Sequence, residues 1–262
     1  LQKFDLPQPI PIPMRSADRY FSESPIEGDV ASLEGAEAHH VLHVMRGGKG
    51  TRLLLFDGRG AEYLAQIERV HRNRVELSIL DRQEVNRELP FALTLAVALP
   101  KGDRQKWLVE KAVELGVTRL VPLKTSRAVA QPVQHAVGRL DRAVIEASKQ
   151  CGRNRLMEIA QPQHWPDFVS GTQPVPARFL AHPADRAAEG CAAEKSVALS
   201  EPSSVDPIVL AIGPEGGFTA EEVALATAAG WTLVDLGPRI LRIETAALCL
   251  VAMVTQRRPM SY

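Results

Sequence analysis

Two short stretches near the carboxyl-terminal end carry the residue types that can hold a charged ligand. The first is Gly213-Pro214-Glu215-Gly216-Gly217-Phe218, and the second is Leu236-Gly237-Pro238-Arg239-Ile240-Leu241-Arg242-Ile243-Glu244. Each follows a short apolar run, Ile208–Ile212 and Thr232–Leu236, and each leads into a helical pattern. Thr219 with Glu222 three residues later forms a capping box, so a helix starts there; a last helix is expected from Thr245. Loops that leave strands for helices at the carboxyl edge of an α/β sheet are where ligands bind. Glycine lets the backbone approach such a ligand closely and adopts positive φ cheaply. The chemistry is not phosphate capture, because no Lys follows the last Gly and the G-x-G-x-x-G fingerprint is missing. Glu215 would repel a phosphate but can accept hydrogen bonds from hydroxyl or amino groups. Arg239 and Arg242 stay protonated, so neither is a base; each can pair with an anionic oxygen in a fork. A plainer reading stands beside this one: a tight strand–helix turn, with the arginines pinning their loop through Glu244.

The residues IGPEGGFT followed by LGPRILRIETA closely resemble the ribosomal RNA small subunit methyltransferase E family. KGDRQKWLVEKAVELGVTRLVPLKTSRAV, EASKQCGRNR and the His182-Pro183 pair extend the resemblance over nearly all of the second part of the chain. AEAHHVLHVMR and LLLFDGRGAEYLAQI carry it through the first. The resemblance implies an S-adenosylmethionine-dependent enzyme of the SPOUT superfamily, methylating N3 of a uridine in 16S ribosomal RNA. It implies a cytoplasmic homodimer, a trefoil knot in the last strands and loops, and the small subunit's RNA, free or assembled, as partner. The implied cofactor residues are Leu180, Ile212, Gly213, Pro214, Glu215, Gly216, Gly217, Leu236, Gly237, Ile240, Leu241, Glu244, Thr245 and Ala246. Arg242, then Arg239, are the candidates for stabilising or positioning the target base. Ile243 stands where the family usually has Thr, and Lys149 where an acidic residue is common.

Composition permits this reading without demanding it. The 262 residues are 45% hydrophobic and 24% charged, enough to bury a core, and the formal net charge is zero. The charge is unevenly spread: residues 91–160 hold 12 Lys/Arg against 6 Asp/Glu, and the flanking thirds are acidic. A basic face for RNA is expected from Arg19, Arg46, Arg72, Arg74, Lys101, Arg104, Arg127, Arg153 and Arg155, about half of which are ordinary solvated charges on a plainer view. Cys151, Cys191 and Cys249 are far apart and show no zinc or disulfide spacing, and no metal is expected. His39, His40 and His43 share a helical stretch but lack a further ligand at useful spacing.

The positioning elements fall into two parts. Residues 1–13 read as an extended arm or a cloning remnant. Residues 14–85 read as a small β-barrel, with a short helix over Ala36–Met45 and strands Thr51–Phe56, Ala61–Val70 and Val75–Leu80; the resemblance implies that it is the family's PUA-like RNA-binding domain. A polar linker over 82–90 precedes alternating strands and helices, which argue a parallel, helix-covered sheet over 86–262. Asp103 is expected to cap a helix over Arg104–Leu115, and Trp107 to lie in the core. The competing functions are a methyltransferase acting on another RNA, such as transfer RNA or the large-subunit RNA, and a non-catalytic RNA-binding assembly factor. A nicotinamide dehydrogenase lacks its glycine fingerprint.

Overall fold

Arg19–Phe21 (β1), Val30–Glu34 (β2), Arg52–Phe56 (β3), Ala61–Val70 (β4) and Arg74–Glu84 (β5) build one five-stranded sheet in the order β1-β3-β4-β5-β2. The computed structural model describes residues 18–128, 134–183 and 206–256, so the arm at 1–13 and Cys191 lie outside the described residues. β3, β4 and β5 form an antiparallel meander, and β1 joins β3 in parallel. Two register shifts in β4, at Leu64/Ala65 and Ile67/Arg69, bend the sheet around Tyr20, Leu33, Leu55, Ile67 and Leu77. The helix expected over Ala36–Met45 is two pieces: α1 (Gly35–His39) and a π-helical turn over His40–Val44, which bury Ala38 and Val41. The stretch ends at Arg46, whose φ of 54° is left-handed without being glycine. His39 and His43 pack ring against ring at 4.6 Å and His40 tilts against Tyr20 at 5.7 Å. Among the described residues no three potential metal ligands converge.

This unit runs through Arg87 and also takes in Gly152–Arg155 from much later in the chain. The reason is a buried carboxylate. Glu62 is 4% exposed and accepts hydrogen bonds from Arg19 at 2.8 Å and Arg87 at 3.0 Å. Arg19 also donates to the Asn154 side chain at 2.7 Å, and Asn154 donates to the Val85 carbonyl. Burial pushes the Glu62 carboxyl upward, but the hydrogen bonds and charges of Arg87 and Arg19 outweigh it and hold the carboxyl below its usual range.

The second unit comprises Glu88–Cys151 and Leu156 onward. Its elements are Leu93–Val97 (β6), Arg104–Glu114 (α2), Arg119–Lys124 (β7), Gln134–Cys151 (α3), Glu158–Ile159 (β8), Gln163–His164 (β9), Trp165–Gly171 (α4), Ala177–Ala181 (β10), Ile208–Ile212 (β11), Ala220–Ala228 (α5), Thr232–Val234 (β12) and Ile243–Gln256 (α6). The seven strands are all parallel, in the order β12-β10-β11-β6-β7-β8 with β9 also on β7. Alternate residues of β11 feed two cores. Leu210 and Ile212 join Leu108, Val144 and Leu250 on one face; Val209 and Ala211 join Trp165, Phe168 and Trp231 on the other. That is why this strand reads as an unbroken apolar run.

Three local expectations need correction. Trp107 is 43% exposed, because α2 turns Leu108, Val109, Ala112 and Val113 inward and Trp107 lies off that stripe. Asp103 precedes α2 without capping it through its side chain, its backbone being already helical. The last helix starts at Ile243, two residues earlier than expected, since Ile243 is itself core. Among the described residues no helix is long and apolar enough to cross a membrane.

Candidate cofactor site

The chain order of the last three strands creates the site. β11 lies beside β10, but β12 returns to the opposite side of β10. The connection reverses direction across β10, and such reversals open a crevice at the carboxyl ends of the strands. A cavity of about 340 Å³ occupies this position. Its wall is made by the exits of all three strands: Ala181-His182-Pro183 after β10, Ile212–Glu215 with Gly217 and Phe218 after β11, and Asp235–Leu241 after β12. Ile243 and Ala246 of α6 close it. The size suits a small-molecule ligand, for which about 300–1,000 Å³ is usual.

Three glycines, Gly213, Gly217 and Gly237, belong to this wall. Gly217 and Gly237 have φ of 68° and 103°, and a Cβ built on either meets nothing within 4 Å. Both therefore stand against open space in a conformation that L side chains rarely adopt. Gly213 is crowded instead: a Cβ there would lie 2.9 Å from the Phe218 ring. Phe218 anchors the loop by packing on buried Trp165 at 4.6 Å. The expected capping box is present, Glu222 accepting the Thr219 N–H at 2.8 Å and Thr219 Oγ1 accepting the Glu222 N–H at 3.2 Å. Asp235 Oδ1 accepts the Gly237 N–H at 2.9 Å and fixes the second loop.

Of the residues expected to bind a cofactor, Ile212, Gly213, Pro214, Glu215, Gly217, Leu236, Gly237, Ile240, Leu241 and Ala246 line the cavity. Leu180 is fully buried in the core around Trp165, Gly216 faces Arg127, Thr245 is exposed on α6, and Glu244 is buried beside Arg104. Arg239 lines the cavity, whereas Arg242 is exposed immediately before α6 and is not part of the wall. The partner of Glu244 is Arg104, at 3.6 Å. His182, Asp235 and Phe218 also line the cavity; Phe218 ends the first glycine stretch and His182 belongs to the His182-Pro183 pair, whereas no motif in the sequence marks Asp235.

The basic residues divide sharply. Arg46, Arg72, Arg74, Lys101, Arg127 and Arg155 are exposed. Arg153 is 4% exposed and Arg19 serves Glu62 and Asn154, so burial and hydrogen bonding commit both to the first unit's interior. Arg104 and Arg127 are held by the glycine loop.

Comparison with known proteins agrees with this geometry. Residues 87–255 match the model of an RNA methyltransferase domain, and residues 33–80 that of an RNA methyltransferase PUA domain. Ribosomal RNA small subunit methyltransferase E of a Synechocystis strain is 34% identical over 88% of this chain and 74% of its own length. The Bacillus subtilis protein of the same name is 28% identical, covering 87% and 91%. A Legionella pneumophila protein described as a methyltransferase, solved with bound SAM, superimposes with a TM-score of 0.81 at 32% identity over 92% of this chain and 98% of its own. The Neisseria gonorrhoeae ribosomal RNA small subunit methyltransferase E bound to S-adenosyl methionine gives 0.79 at 27% identity over 92% and 98%. The parallel sheet is thus that of SPOUT methyltransferases, and the chain belongs to the ribosomal RNA small subunit methyltransferase E family.

Proposed function

We propose that this chain methylates N3 of a uridine in 16S ribosomal RNA, with S-adenosylmethionine held at the exits of β10, β11 and β12. The observation that carries the reading is the glycine cradle, where open space stands against Gly217 and Gly237. The carboxylates of Glu215 and Asp235 also line this cavity, and they suit a ligand that carries positive charge. When bound, the donor supplies a methyl group on a sulfonium, ready for in-line transfer.

The protein has three tasks. It aligns N3 with the methyl carbon, which lowers the barrier through orientation. It stabilises the charge that spreads to O2 and O4 as N3 loses its proton. Arg239, on the cavity wall, takes this role ahead of Arg242, which holds the approaching nucleotide from the rim. The third task is removing the proton, for which His182 is the cavity residue with a ring nitrogen able to accept one. Exposed Arg46, Arg72 and Arg74 in the first unit, and Lys101 in the second, serve the RNA backbone. The trefoil knot, a homodimer formed through α6 and an assembled subunit as substrate belong to the same reading.

The test is transfer of labelled methyl from S-adenosylmethionine to small-subunit RNA, naked and assembled, with the product nucleotide mapped by mass spectrometry. N3-methyluridine at one site is expected. Methyl on another RNA, or on another atom, overturns the substrate assignment.

A further inference from the structure

The loop Gly213–Phe218 is gripped from two sides by cations that stand outside the cavity wall. Arg104, the first residue of α2, lies 3.5 Å from Glu215 Oε1 and 3.6 Å from Glu244 Oε1. It therefore ties the loop after β11 to the first turn of α6. On the other side Arg127 donates to the Gly216 carbonyl at 2.9 Å. Its side chain lies so close that a Cβ on Gly216 would stand 3.3 Å from Arg127 Cβ. The neighbouring Ser126 donates its N–H, at 2.8 Å, and its hydroxyl, at 3.0 Å, to Glu222 Oε1. The segment after β7 is thus docked onto the start of α5.

A cation at a helix N-terminus opposes the helix dipole, and an acidic residue there would serve α2 better. The position of Arg104 is explained by what it holds, not by the helix it begins. Its guanidinium reaches two carboxylates at once, one on the loop after β11 and one in the first turn of α6, which the compact ammonium of lysine does less well.

We propose that Arg104 and Arg127 are positioning residues for the methyl donor. They act through Glu215 on the cavity wall and through Gly216, which joins Glu215 to the wall residue Gly217, and their basic charge is not for RNA phosphate. The inference rests on the cavity being the donor site. Holding the glycine loop before binding removes an ordering cost that binding would otherwise bear.

Isothermal titration of S-adenosylmethionine into the full chain, beside R104Q, R104K and R127Q, tests this. Each glutamine variant should weaken donor binding by about two- to fivefold, the worth of a partly exposed pair. R104K should weaken it too, despite keeping the charge, and it carries the test should R104Q not fold. The KM for donor should rise while kcat, the KM for RNA and the salt dependence of RNA binding stay as in wild type. Wild-type donor affinity in both Arg104 variants overturns the proposal. So does a salt slope for RNA that falls by about 0.7–0.9 per variant, the mark of a lost phosphate contact. A wild-type chain that binds no donor would sink the assignment of the cavity as well, which separates the two failures.

Discussion

Among the carboxylates held by arginine in this molecule, Glu62 and Glu215 differ in depth. Glu62 is 4% exposed, with arginine hydrogen bonds of 2.8 and 3.0 Å and a third contact from Asn154. The Glu215 side chain is 51% exposed and meets Arg104 only as an ion pair at 3.5 Å. The first is a fold element: a desolvated charge must be fully satisfied or it destabilises. The second is a restraint on a loop, loose enough to yield. The same residue pair therefore does two jobs, and exposure decides which.

The largest effect should come from the deep pair. Glu62→Gln leaves Arg19 and Arg87 without their counter-charge, and removing one partner of a buried pair costs about 3 kcal/mol. Thermal or urea unfolding followed on the first unit should show that loss, with donor affinity unchanged. Acid gives the same answer by another route. The folded carboxyl of Glu62 is held below its ordinary value, so its contribution is fully present above that value. It disappears as pH falls through the lower, folded value. Wild type and E62Q should therefore converge in stability below the ordinary carboxylate range and diverge above it. A gap that persists at the acid end would show that charge is not the cause.

Next in size is the glycine loop itself. Gly213→Ala places a methyl 2.9 Å from the Phe218 ring, which packs on buried Trp165. Overpacking of this kind costs about 1–3 kcal/mol. Because the loop is the cavity wall, donor affinity should fall with stability, unlike in E62Q. A G213A chain that binds donor normally would mean that the loop tolerates displacement.

Much of this was legible in the chain. The apolar run Ile208–Ile212, the Thr219–Glu222 box and the two glycine loops are local signals, and each element forms where they place it. What could not be read was order. Nothing local says that β12 returns across β10, and so nothing local brings His182 and Asp235 to one cavity. Arginine was the other blind spot. A guanidinium donates to a phosphate, a carboxylate or a backbone carbonyl alike, so residue type alone does not distinguish Arg19, Arg104, Arg127 and Arg153 from an RNA face, whereas burial and partners do. Trp107 failed for a related reason, since one step around a helix moves a side chain from core to solvent.

The smallest predicted effect on stability is the most informative about the shallow pair. Glu215→Gln removes one charge from a surface contact, and such pairs contribute about 0.2–1 kcal/mol. Unfolding should barely move. Donor affinity should nevertheless drop several-fold, because Glu215 lines the cavity and Arg104 does not. The double variant R104Q/E215Q then separates bracing from direct contact. If Arg104 acts through Glu215, the second change adds less than it does alone, the non-additivity expected of residues in one interaction. Strict additivity in donor affinity would leave Arg104 working through Glu244 alone, and E244Q in place of E215Q would then show the coupling.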